Sequence, residues 1–149
     1  MKSLFRVPMR VHNGLLLMTY LATNYGSKAP ISLDDIAERE KLSQGFLEES
    51  AMTLKTAGLI KGRRGQGGGY LLTQSPDLIS ISSVIEALEG PVALVDCLTE
   101  DATCPAEHGC SNRIVWKRVQ DRITETLQRI MLAELITDNY LLRKTHSTL

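Results

Sequence analysis

Between two short apolar runs, Leu59-Ile60-Lys61 and Tyr70-Leu71-Leu72, the chain carries Gly62-Arg63-Arg64-Gly65-Gln66-Gly67-Gly68-Gly69. The flanking runs read as strands, so the glycines form the loop of a hairpin, with far more glycine than a simple turn needs. A dinucleotide-binding fingerprint would require a helix after the glycines, and here the following residues are strand-like. A phosphate loop would end in Gly-Lys-Ser or Gly-Lys-Thr, which is absent.

What precedes the hairpin gives it a meaning. Residues 11–23 carry apolar side chains on nearly every turn, as a mostly buried helix does. Tyr25-Gly26-Ser27 ends it, and Ser32-Leu33-Asp34-Asp35 has the capping-box pattern that opens a short helix through about Arg39, with Ile36 and Ala37 inward. Ser43 is a suitable N-cap for a second helix, Gln44 to Thr56, with Phe46, Leu47, Met52 (or Ala51) and Leu54 as its apolar side. Gly58 is the expected left-handed terminator. Two short helices across a tight turn make a helix-turn-helix, and a hairpin placed directly after it is a wing. Lys55, Lys61, Arg63 and Arg64 fall on this stretch with no acidic residue among them, although the formal net charge of the chain is +0.

In such a unit the second helix enters the major groove by its N-terminal end. Ser43, Gln44, Gly45 and Glu48 are therefore the candidate contacts on the helix. Gln44 suits adenine and Glu48 suits cytosine, while Ser43 and the helix N-terminus can meet phosphate. Lys61, Arg63, Arg64 and Gly65 are the candidates on the wing, for backbone or minor-groove contact, with glycine allowing close approach.

All three cysteines lie in one irregular stretch, Cys97, Cys104 and Cys110, with gaps of six and five residues. The intervening Thr99, Glu100, Asp101, Glu107 and His108 do not belong in a core, so the segment reads as a ligand loop. An odd number of thiols argues against a closed disulfide set. The absence of a secretory signal implies a reducing, cytoplasmic setting, in which clustered cysteine is metal-binding or redox-active. Structural zinc favours gaps of about two to four residues. Longer gaps suit a larger object such as an iron–sulfur cluster, [2Fe–2S] or [4Fe–4S], which usually takes four thiolates. A fourth ligand must then come from elsewhere.

From Asn112 a helical period returns: Val115, Val119, Ile123, Leu127 and Ile130 recur every three or four residues, with Trp116 alongside. The stripe needs a partner, and the simplest is the same helix of a second copy; packing back on its own domain is the alternative. Leu132 to Leu135 read as a final turn or helix. The expected class is mainly α with a small β wing, a winged helix-turn-helix domain plus a long C-terminal dimerisation helix. The boundaries are a DNA-binding unit over 1–90, a cysteine loop over 91–111, a dimerisation helix over 112–142 and a frayed tail over 143–149. No run is long and apolar enough for a membrane span. No carboxylate pair, Ser/His/Asp set or cofactor motif marks an enzyme.

Four segments together, SLDDIAEREKLS (32–43), LKTAGLIKGRRGQGGGYLLT (54–73), VIEALEGP (84–91) and the three-cysteine loop before a Trp-bearing helix, resemble the Rrf-type bacterial transcription regulators, the IscR-, NsrR- and RirA-like group. The cysteine spacing, with Asp96 before it and Trp116 after, looks most like the branch regulating SUF-pathway cluster assembly. The resemblance implies a homodimeric winged-helix repressor that binds double-stranded operator DNA. It also implies sensing of iron–sulfur, redox or nitric oxide status through a cluster on Cys97, Cys104 and Cys110. IscR-like members take a fourth ligand from a His three residues beyond the last Cys, where this chain has Arg113. NsrR-like members take it from an Asp on the first helix of the other subunit. Alignment on Leu21-Ala22 puts His12 there, with His108 as a local competitor. The second helix departs from the family's usual run, so an operator cannot be carried over. A zinc- or thiol-redox-controlled repressor of the same fold, and an iron–sulfur carrier using its helices for protein partners, are the alternatives.

Overall fold

The computed structural model describes residues 3–106 and 108–137. The chain runs α1 (Met9–Thr23), α2 (Leu33–Glu40), α3 (Gln44–Thr56), β1 (Ile60–Arg63), β2 (Gly69–Leu72), α4 (Ile81–Glu89) and α5 (Ser111–Arg129). It is helical again over 132–137. The two strands pair antiparallel with Ile60 opposite Leu72 and Arg63 opposite Gly69. Each strand is thus longer than the apolar runs alone predict, and the glycine loop correspondingly shorter. The expected tail over 143–149 lies outside the described residues.

α1 sits in the middle, against α3, α4 and β2. That position explains its composition, because Val11, Leu17, Met18, Leu21 and Ala22 are buried on several sides of the helix. Gly14 lets α4 cross closely: a Cβ there would stand 2.3 Å from Leu88 Cδ1. Leu33 and Ile36 of α2, Leu47, Ala51 and Leu54 of α3, and Ile79, Val84 and Leu88 complete one core.

Local chemistry sets the helix ends. Ser32 Oγ accepts from the Asp34 N–H at 3.2 Å, and Ser80 Oγ accepts from the Ser83 N–H at 3.1 Å. Ser80 therefore caps α4, which starts at Ile81. Ser43 holds the N-cap position of α3 but makes no capping hydrogen bond. Lys41, at φ 53°, makes the left-handed turn between α2 and α3. At the far end of α3 the Gly58 N–H donates to Lys55 O and the Leu59 N–H to Leu54 O, each at 3.0 Å. This paired closure needs the positive φ of 77° that glycine allows.

One expectation for α3 is corrected. Leu47, Ser50, Ala51 and Leu54 repeat at the spacing of a single helix face and are buried, whereas Phe46 is 63% and Met52 67% exposed. Phe46 precedes Leu47 by about 100° of helix rotation and so leaves the core face. Apolar character suggested an inward side chain; helical phase overrides it.

Candidate nucleic-acid interface and thiol loop

Packing α3 on its Leu47–Leu54 face leaves its first turn open, and Ser43, Gln44, Gly45 and Glu48 are all exposed. The free N–H groups of that turn carry the positive end of the helix dipole. β1 leaves the end of α3 after Gly58, which carries the wing alongside. Lys61, Arg63, Arg64 and Gly65 are exposed as well. Lys55 Nζ lies 3.8 Å from the place a Cβ on Gly62 would take, so the last cation of α3 sits over the wing. Among the described residues no ion pair engages Lys55, Lys61, Arg63 or Arg64. Four cations without an ion pair among the described residues thus lie at the C-terminal end of α3 and along the wing, an electrostatic footprint for a polyanion.

The wing is fixed at its base. Tyr70 and Ile31 exchange backbone hydrogen bonds at 3.0 and 2.9 Å. Gly69, at φ +151°, permits this approach: a Cβ there would lie 2.2 Å from Ile31 O.

Sequence reasoning missed Arg10. Its Nη2 donates to Thr53 Oγ1 at 3.0 Å, and its Nε and Nη1 lie 3.9 Å from Glu49 and Glu89 carboxylate oxygens. One guanidinium therefore joins α1 to α3 and to the end of α4. Its place one turn before Asn13 and Gly14 on an otherwise apolar helix was the available signal.

The cysteine segment leaves α4 at Gly90-Pro91 and contains one short helical turn, Asp96–Leu98. The Leu94 N–H donates to Gln120 Oε1 at 3.0 Å, tying this segment to α5. Cys97, Cys104 and Cys110 are free and half-buried, and Cys110 is the N-cap residue of α5. Among the described residues no three His, Cys, Asp or Glu side chains gather closely enough for one metal ion. His12 and His108 are both exposed, and neither joins such a group within the chain.

α5 has no fully buried residue along its whole length, with Ile114 56% and Val115 54% exposed. Leu127 and Ile130 do reach the core, so the C-terminal end of the helix packs back on its own domain. Arg118, Val119, Arg122, Ile123, Thr126 and Leu127 line an open, apolar-floored groove along it. No helix of the described residues is long and apolar enough to cross a membrane.

A family model described as "Rrf2: Iron-dependent Transcriptional regulator" matches residues 8–138, nearly the whole of the fold just described. The chain belongs to the Rrf2 family of transcriptional regulators. Among its relatives, the HTH-type transcriptional regulator CymR of Bacillus subtilis (strain 168) is 38% identical over 122 residues, covering 82% of this chain and 83% of CymR. The structure of that protein, titled the global cysteine regulator of B. subtilis, superposes with a TM-score of 0.74 over 89% of this chain and 97% of its own. The transcriptional regulator IscR of Erwinia tasmaniensis is 33% identical over 118 residues, 79% of this chain and 71% of IscR. The structure of T. potens IscR gives a TM-score of 0.73 at 35% identity, over 91% of this chain and 88% of that one. These Rrf2 relatives are regulators, not enzymes, and the winged-helix architecture of this chain is theirs.

Proposed function

We propose that this Rrf2 regulator is a cytoplasmic homodimer that binds double-stranded operator DNA through α3 and the wing, and represses transcription according to iron–sulfur, redox or nitric oxide status. The contacts are Ser43, Gln44, Gly45 and Glu48 on the helix and Lys61, Arg63, Arg64 and Gly65 on the wing. The observation that carries the sensing half is the set of three free, half-buried thiols on one loop, bonded to α5 and following directly on α4.

The donor chemistry fits an iron–sulfur cluster: soft thiolates, unpaired and partly accessible, are its usual ligands. A single zinc ion fits less well, since structural zinc favours cysteine gaps of about two to four residues and the gaps here are six and five. Cys97, Cys104 and Cys110 would hold the cluster, with His12 of the partner subunit as the fourth ligand and His108 as the local competitor. When bound, such a group supplies a bridge that is labile to iron supply, oxygen and nitric oxide. The chain's own residues provide the rest. Gln120 fixes the loop to α5, and Arg10, on the same helix as His12, fixes α1 to α3. A pull on His12 would therefore reach the reading helix through α1, with a coupling typically of ~1–3 kcal/mol.

Anaerobic purification with iron and sulfide analysis, followed by operator binding at several salt concentrations, tests this reading. Wild type should carry iron and sulfide, and C97S, C104S and C110S should lose both and change operator affinity. Colourless wild type that binds equally well with every thiol replaced overturns the sensing half. A thiol-redox repressor is the second reading, favoured by the similarity to CymR and by the unpaired state of all three thiols. It predicts colourless protein whose DNA affinity changes on reversible oxidation.

A further inference from the structure

α3 is unusual as a reader because Lys55 is its only cation and stands in its last turn. Guanine offers two acceptors in the major groove and is normally taken by Arg or Lys. The first turns of α3 have neither. Their exposed side chains are Gln44, Phe46, Glu48 and Glu49, and Glu49 is drawn toward Arg10. What remains for reading bases is an amide suited to adenine, a carboxylate suited to cytosine, and one large apolar ring.

Phe46 cannot be assigned to the core. It is 63% exposed while its neighbour Leu47 is fully buried, so the phase of the helix holds the ring outside. Gly45 beside it has no side chain, and a Cβ there would meet only Ser43 Oγ, at 3.8 Å, which leaves the approach to the ring open. The ring shares the first turn and a half with Ser43 and Gln44, the end that enters deepest in this class of fold. The one apolar feature that a base pair shows in the major groove is the thymine 5-methyl group.

We propose that Phe46 is a specificity-determining residue, packing on a thymine 5-methyl group in each operator half-site next to the base read by Gln44. The proposal deepens the DNA-binding reading and depends on it. It makes the preferred half-site core an A·T step rather than a guanine-centred one.

Deoxyuridine pairs as thymine does and lacks only the methyl group, so it isolates the contact. Operators are first selected from a random duplex pool with the wild-type dimer, and each thymine is then replaced by deoxyuridine in turn. At one position per half-site, the loss of one methyl should weaken wild type about fourfold, from the burial of a single carbon group, and about fifteenfold when both half-sites are changed. F46A should bind the unmodified operator about as weakly as wild type binds the doubly substituted one. It should be indifferent to deoxyuridine there, with an unchanged salt slope and melting temperature. F46L should keep part of the sensitivity. Wild type that is indifferent to every replacement, or F46A that remains as sensitive as wild type, overturns the proposal. Failure of wild type to enrich any sequence overturns the DNA-binding reading itself, and is distinguishable because no operator is then obtained.

Discussion

Arg10 Nη2 and Thr53 Oγ1, 43 residues apart in sequence, are joined at 3.0 Å, so the position of the reading helix is set partly by a side chain of α1. The same guanidinium faces Glu49 and Glu89 at 3.9 Å. Those two pairs are partly exposed, and such pairs contribute about 0–1 kcal/mol each after screening by solvent.

R10A should therefore lower stability by about 1 kcal/mol, mostly through the lost hydrogen bond. Operator affinity should fall by at least the fivefold that ~1 kcal/mol represents, because α3 is no longer held from this side. R10K keeps the charge and loses the planar fork, so it should recover little of the affinity. Thermal melts and operator titrations on the three proteins check this. Unchanged affinity in R10A would remove Arg10 from any role in placing α3.

The caps separate structural from DNA-facing serines. Ser32 Oγ makes its cap bond, and S32A should cost about 1 kcal/mol, within the usual range for such caps. Ser43 Oγ makes none, so S43A should melt within about 0.5 kcal/mol of wild type, as a surface change does. Its effect should appear instead in a weaker operator complex with an unchanged salt slope, since a neutral hydroxyl releases no counterion. If S43A melts as badly as S32A and binds normally, Ser43 is a cap and nothing more.

These contrasts show where residue patterns were legible and where they stopped. The helix-turn-helix and wing could be read because Ser32 and Gly58 mark helix ends by local chemistry, and local chemistry needs no tertiary context. Phe46 was misplaced, and Met52 against Ala51 was left open, because composition does not fix the phase of a thirteen-residue helix; Ala51 and Ser50 took the core positions. Arg10 was invisible because its partners lie on α3 and α4. The thiol loop was recognisable by its lack of any apolar period. Its geometry was not, since the loop is placed by contacts to other elements, the bond to Gln120 of α5 among them.

Gly69 carries the attachment of the wing. Its φ of +151° is open to glycine and unfavourable to other residues, and a Cβ would meet backbone atoms of Ile31 and Ser32 that cannot rotate away. G69A should cost about 1–3 kcal/mol, the range for strain of this kind. It should also release the Ile31–Tyr70 pair, raising amide exchange at Ile31 and Tyr70 and weakening DNA binding. G65A is also strained, at φ +100°, but meets nothing within 4 Å and so should cost less stability than G69A. Equal melting temperatures for G69A and wild type would contradict the close approach.

Past the end of α5 the chain returns to the core, where the Ile81 N–H donates to Ile130 O at 2.9 Å and the Leu132 N–H to Ile79 O at 2.8 Å. Leu132 is fully buried there. L132A should destabilise the fold by about 2–5 kcal/mol, as other buried leucine truncations do. It should also free the C-terminal end of α5, which hydrogen exchange along 120–130 would register. A cost below about 1 kcal/mol would mean that this return is not an anchor.

That anchor makes the remaining apolar stripe a meaningful one. α5 is held at its C-terminal end by Leu132 and near its middle by Gln120, yet Val115 is exposed and Val119 and Ile123 are only half-buried in the chain. A rigidly mounted helix with an open apolar side is suited to meet its own copy, by an isologous pairing. Replacing Val119 and Ile123 together by Glu should place like charges at that contact. Sedimentation should then report a monomer of unchanged helicity, since neither residue is fully buried in the chain. Operator affinity should fall on the order of a hundredfold, because each half-site loses the partner tethered beside it. A double variant that sediments as a dimer and holds its operator would place the dimer contact elsewhere, and a wild-type protein that is already a monomer would remove the need for one.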